Sequence, residues 1–163
     1  MTDTEKKTLT HIIIDHVEET FQKIFGVSIR PSLEKISNFD EDDIIIAVGM
    51  NEDEGAGAEV NMHFVFHRHL LGPLLMRIYP PVMASHETTL EDAACEIANI
   101  VCSGLKTHLN ENGFMLVMDF PKIVHLLKVA DKTQGPDNLH INFLLQSDGL
   151  SVDMNMNKKG KKQ

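Results

Sequence analysis

No stretch of this sequence stays apolar for long enough to cross a bilayer. The longest runs, such as Ile44 to Gly49, fall far short of the ~20 residues a spanning helix needs. The first residues, MTDTEKKTLT, are polar and lack the apolar segment of a signal peptide. A cytoplasmic protein without membrane contact is therefore expected. Cysteine is scarce: Cys95 and Cys102 are the two present. On one helix they would stand roughly 10.5 Å apart along the axis, beyond disulfide reach. They read as small reduced core or boundary residues. Positive charge is scarce as well. The net charge is −9, yet four of the 15 basic residues (Lys158, Lys159, Lys161 and Lys162) crowd the C-terminus. Without them 11 basic residues face 24 acidic ones, so the body carries about −13. Such a surface repels phosphate backbones, which argues against nucleic acid as a partner. Gly-rich phosphate loops and nucleophile elbows are absent too.

What is present is enough for one domain. The chain has 163 residues, 42% hydrophobic and 24% charged, ordinary values for a globular protein. The expected division is a domain over 1–157 and a basic, disordered tail over 158–163. Helical periodicity begins near Leu9 and runs to Phe25, with Ile13, Val17 and Phe21 on one stripe and Gly26 as the stop. Val27 to Arg30 forms a short segment closed by Pro31. Ile44 to Met50 reads as a strand buried on both faces. Glu59 to His67 alternates Val60, Met62, Phe64 and Phe66, a half-buried strand. The Gly-rich acidic loop between these two makes them a hairpin.

Leu70 to Tyr79 reads as a short helix opened by Gly72 and Pro73, followed by an irregular loop to Thr88. Thr89 is the expected cap of a long helix from Leu90 to Asn112. Strands are then expected at Phe114 to Phe120, Leu139 to Gln146 and Leu150 to Asn155. Ser147-Asp148-Gly149 should turn the last pair. Helix, strand and hairpin thus occur twice. The expected class is α+β: two pseudo-symmetric helix-strand-hairpin halves whose mainly antiparallel sheet is covered by helices.

Winding the long helix at 100° per residue separates two faces. Leu90, Ala93, Ala94, Ile97, Val101 and Leu105 gather toward the sheet. Asp92, Glu96, Asn99, Ser103 and Asn110 gather opposite. Glu96 and Asn99, three apart, project side by side. Spacing of this kind is common on solvated helices and by itself proves little.

The run Asp92-Ala93-Ala94-Cys95-Glu96-Ile97-Ala98-Asn99-Ile100-Val101 resembles the signature helix of the CheC/CheX chemotaxis phosphatase family, a Glu-x-x-Asn pair among small and aliphatic residues. Pro121-Lys122-Ile123-Val124 is similar to the proline-led segment that follows it. The element order from about Leu9 to Met156 also resembles the family's. The resemblance implies a phosphatase acting on the aspartyl phosphate of a CheY-like response regulator. Asn99 would orient the attacking water, and Glu96 would pair with the receiver's lysine. Asp92, Ser103 and Lys106 would touch the partner around them. The chain itself would bind no cofactor, since Mg²⁺ would sit in the partner receiver. The helix His11-Ile12-Ile13-Ile14-Asp15-His16-Val17-Glu18 lacks an Asn, so one motif per chain is like the CheX type, which implies a homodimer joined at sheet edges. Two positions depart from the family pattern: Ser103 and Leu126 stand where glycines are usual. A non-catalytic module binding a receiver or a flagellar-switch component remains an alternative. So does a small-ligand sensor built on Tyr79 to Thr88.

Other features suggest sites without the geometry for them. His63 and His67 would share a strand face roughly 13 Å apart, too far for one ion. His69 is expected to begin the next helix, and His11, His16, His86, His108, His125 and His140 read as scattered and unpaired. Asp40-Glu41-Asp42-Asp43 lacks the spacing and glycine of an EF-hand and reads as a solvated turn. Met115 and Met118 are expected in the core.

Overall fold

A computed structural model describes residues 1–34, 36, 40–52, 57–125 and 137–158. Helix α1 spans Asp3–Phe25 and starts six residues before its apolar stripe. Thr2 explains the early start. Its hydroxyl accepts from the Glu5 N–H at 3.2 Å, while the Glu5 carboxylate accepts from the Thr2 N–H at 2.7 Å. That reciprocal box satisfies two orphan donors at the helix end. Gly26, at φ 66°, closes the helix in the left-handed conformation that glycine adopts freely.

Strand β1 is Arg30–Ser32, so Pro31 lies inside a strand rather than after one. It is tolerated there because β1 is an edge strand. Strands β2 (Ile44–Glu52) and β3 (Ala58–Phe66) form the expected hairpin. Helix α2 (Arg68–Leu75) and a one-turn helix α3 (Pro81–Ala84) replace the expected helix and irregular loop. Helix α4 runs Glu87–Glu111 and begins before Thr89, which sits inside it. Its N-cap is His86, whose side chain makes no capping bond.

The expected strand Phe114 to Phe120 is two short strands, β4 (Leu116–Met118) and β5 (Lys122–Val124), both antiparallel to β2. Asp119, Phe120 and Pro121 lie opposite only Val48 and Gly49, so one residue bulges out and splits the strand. The Asp119 N–H still donates to the Gly49 carbonyl at 2.8 Å. Strands β6 (Asn138–Leu145) and β7 (Asp148–Lys158) close the chain. Leu145 pairs with Asp148, so their turn is Gln146-Ser147, one step earlier than expected. Gln146 takes the positive φ of 59° that a two-residue hairpin asks of its first residue. Lys158 belongs to β7, and the rest of the expected tail lies outside the described residues.

The strand order is β1-β6-β7-β3-β2-β4, with β5 also on β2. Exchanging the two halves (β1 with β4, β2 with β6, β3 with β7) returns the same order reversed. The repeat is therefore built into the sheet, and each half lends its short strand to the other half's hairpin. Val60, Met62, Phe64 and Phe66 of β3 are completely buried, beside Met156, Met154, Val152 and Leu150 of β7. Leu9, Ile13, Val17 and Phe21 of α1 and Ile97, Val101 and Leu105 of α4 belong to the same core. Burying each large side chain stabilises the fold by about 1.5–3 kcal/mol. On the other face of the sheet Ile45 and Val65 form a small separate cluster with Val124. Beyond it that face turns polar, with Asn61, His63, Asp153 and Asn155 only half-buried.

Candidate functional site

Helix α4 presents its expected outer stripe. Asp92 and Glu96 are exposed, while Asn99, Ser103 and Lys106 are half-buried. They form two adjacent rows by helical geometry: Asp92, Asn99 and Lys106 along one, Glu96 and Ser103 along the other. Behind them Ala94, Ile97, Ala98, Val101, Cys102 and Leu105 are buried. No hydrogen bond or ion pair to another described residue holds the side chain of Glu96, Asn99 or Lys106.

Asp92 and Glu96 also line a cleft of about 470 Å³ between α4, the end of α1 and the α2–α3 segment. Its apolar wall includes Ile78, Tyr79 and Met83. Asn99, one turn further along, is not among its lining residues. The N-terminal end of α4 is braced here, because the Arg68 guanidinium donates to both Glu87 carboxylate oxygens, at 2.8 and 3.3 Å. Arg68 accordingly holds the Glu87 carboxyl below its usual pKa. The Arg68 backbone N–H donates to Asp43 at 3.1 Å. The acidic segment 40–43 is thus a hydrogen-bonded turn that receives α2.

Ser103 and Gly104 lie side by side on α4 but face different surroundings. A Cβ on Gly104 would lie 2.3–2.6 Å from three ring atoms of His16 on α1, so this glycine lets the imidazole pack onto α4. Ser103, one position earlier, stands on the outer stripe. Leu126 lies outside the described residues.

Sequence reasoning missed an apolar strip. Residues 76–83 are all exposed, among them Met76, Ile78, Tyr79, Val82 and Met83. The signal was visible as an apolar run interrupted by Pro80-Pro81, which cannot form a continuous buried helix. Met115 also departs from expectation at 78% exposure, because it precedes β4 on the outer edge. Met118 packs against the core. Nor are the histidines all unpaired. His140 hydrogen-bonds Asp153 at 2.6 Å, and His11 contacts the Lys7 carbonyl at 2.8 Å. His67 lies beyond β3 at the start of α2, where its Nδ1 accepts from the Gly149 N–H at 3.0 Å. Among the described residues no three His, Cys, Asp or Glu side chains gather in a way that would hold a metal ion. No helix among them is long and apolar enough to cross a membrane.

The palindromic sheet with α1 and α4 is the fold of CheX and CheC-like chemotaxis proteins. No family model matches the chain, and no curated protein matches it. Solved structures do. CheX from Vibrio vulnificus superposes with a TM-score of 0.70 at 18% identity, over 91% of this chain and 96% of that one. The CheX–CheY–BeF3–Mg²⁺ complex from Borrelia burgdorferi gives 0.62 at 14% identity, over 90% and 96%. FliY from Thermotoga maritima gives 0.55 at 17% identity, over 94% and 90%. At these identities the likeness is one of fold.

Proposed function

We propose that this chain docks a phosphorylated CheY-like receiver domain on the outer face of α4 and accelerates hydrolysis of its aspartyl phosphate. The observation that carries this reading is the Glu96–Asn99 pair, displayed on one face and held by no other described residue, on a fold shared with a CheX that forms a complex with CheY. The Asn99 carboxamide accepts a hydrogen bond from water and fixes it in line with phosphorus. Water oxygen bonds to phosphorus, the bond to the aspartyl oxygen breaks, and the departing carboxylate retains that electron pair. The water proton ends on inorganic phosphate. Glu96 supplies a carboxylate to the receiver's lysine and sets the docking register. Mg²⁺ held by the receiver supplies charge neutralisation. With such a partner the proposed activity would lie in the cytoplasm.

Decay of a phospho-receiver in Mg²⁺, with and without the protein, tests the reading. Asn99→Ala should abolish the stimulated rate while leaving binding nearly intact, whereas Glu96→Ala should weaken both. A retained rate in Asn99→Ala sinks the mechanism. Ser103, which puts a hydroxymethyl group on the docking face, favours a second reading, a binding module that leaves phosphate lifetime unchanged. It predicts a complex without acceleration.

The homodimer implied by the family resemblance would need an open sheet edge. Strand β1 offers little, being three residues long and including Pro31, which has no N–H to donate. The β4–β5 edge exposes Val117, Phe120 and Ile123, with Phe120 at 90%. Sedimentation of Phe120→Asp should show a monomer if that edge pairs, and an unchanged species would exclude it.

A further inference from the structure

The strip over residues 76–83 has no role in the water-orienting chemistry, yet it is the most apolar exposed segment near the site. Eight consecutive residues are exposed, and Arg77 is the one charged residue among them. Val82 is 79% exposed, Met76 52% and Met83 50%. Exposed apolar surface of this continuity marks an interaction site more often than chance.

The strip is also firmly built. Leu70, Leu71, Leu74 and Leu75 anchor α2 in the core, and Ala84 anchors α3. The Tyr79 N–H donates to the Leu75 carbonyl at 2.8 Å, and Pro80-Pro81 restrict the backbone between the helices. A surface already ordered loses little entropy on binding. Three of its residues, Ile78, Tyr79 and Met83, share the cleft with Asp92 and Glu96. Whatever covers Glu96 therefore meets this wall.

We propose that the strip is a docking shelf for the receiver domain and decides which receivers are accepted, taking an apolar surface element that carries a cationic side chain toward Asp92 and Glu96. This rests on the function proposed above. The charge pattern selects a protein over a lipid surface. An interfacial membrane strip is flanked by Lys and Arg that meet anionic headgroups. Here the opposing wall is acidic and the chain carries −9 overall. Apolar anchors beside complementary charge suit a protein partner.

The test uses the full chain, a receiver that the wild type dephosphorylates, and the variant Val82→Asp/Met83→Asp. Both residues are exposed, and an unchanged melting temperature would show the fold intact. KM for the phospho-receiver should rise ~10-fold or more, the scale of losing an interface anchor, while kcat at saturation holds. Asp92→Asn should raise KM and flatten its salt dependence. An unchanged KM in the double variant overturns the shelf and leaves the phosphatase reading standing. A wild type that neither binds nor dephosphorylates any receiver overturns both. Binding of the wild type to phosphatidylglycerol vesicles, lost in the double variant, would overturn the choice of a protein partner.

Discussion

Gly104→Ala should reverse the sign of its effect on stability according to what stands at position 16. In the wild type the new Cβ would fall 2.3 Å from the His16 Cε1 and 2.4 Å from its Nε2. Something must shift. Alanine in a helix interior is worth ~1 kcal/mol over glycine. Overpacking typically costs about 1–3 kcal/mol. His16 is half-buried, so part of that cost is a rotamer change of its ring, worth about 0.5–1.5 kcal/mol by itself. The net expectation is from about zero to about 2 kcal/mol of destabilisation.

In a His16→Ala background the obstructing ring is gone, and the helix preference alone remains. Gly104→Ala should then stabilise by ~0.5–1 kcal/mol. Urea unfolding of the four proteins completes a double-mutant cycle with an expected coupling of about 0.5–3 kcal/mol. Equal destabilisation in both backgrounds would refute the assignment of the cost to His16. Equal stabilisation in both would show that the ring does not need this glycine. Phosphatase assays on the same proteins would separate helix packing from partner approach, since Ser103 rather than Gly104 stands on the outer stripe.

Acid should remove a contribution from the N-terminal cap. The Thr2 backbone N–H, and then the Lys158 ammonium at 3.0 Å, hold the Glu5 carboxyl down to about 2 from 4.5. A depressed folded-state pKa stabilises fully above the unfolded value, so this contribution should fade as pH drops from about 4.5 toward 2. A carboxyl titration by NMR with a midpoint above 4 would contradict it. Thiol labelling at neutral pH should be slow at Cys95, whose pKa burial raises, with Asp92 and Glu91 adding to the effect. Cys102, completely buried against the Met62 sulfur at 3.5 Å, should react only on unfolding, and two fast native thiols would refute this burial. Arg68→Ala should lower stability by less than ~1 kcal/mol in thermal melts, because its fork with Glu87 is largely solvated. A larger loss would mean that α2 depends on that ion pair.

The sequence revealed most where periodicity was long. The stripe of α4 and the alternation of β3 predict their elements to within three residues, and that of α1 predicts its end, because burial imposes the period directly. Short features were harder. The Thr2-x-x-Glu5 box lies outside the apolar stripe, so the periodic signal begins too late. The β4–β5 break depends on a bulge opposite Gly49 that no local pattern specifies. The hairpin turn places a positive φ on Gln146, a residue without special preference for it, because the β6–β7 register leaves only two residues to turn. At the site, the stripe carrying Glu96 and Asn99 follows from helical winding. The wall that faces Glu96 comes from a distant segment, and only the folded chain brings the two together.

The pseudo-symmetry clarifies why one helix of two carries the pair. The shift that takes His16 onto Gly104 also takes Leu9, Ile13, Val17 and Phe21 onto Ile97, Val101, Leu105 and Leu109, buried onto buried throughout. The same shift puts Thr8 at the place of Glu96 and His11 at the place of Asn99. Both counterparts are exposed, so the surface is equally available. Their chemistry differs. A threonine hydroxyl offers no charge to a cationic partner, and the His11 ring is engaged by the Lys7 carbonyl. The α1 face therefore keeps the packing half of the repeat without the polar pair. If α4 alone acts, installing Glu and Asn at positions 8 and 11 in an Asn99→Ala chain should not restore activity. The strip over residues 76–83 shares its cleft with Asp92 and Glu96 of α4, whereas neither Thr8 nor His11 of α1 lines that cleft.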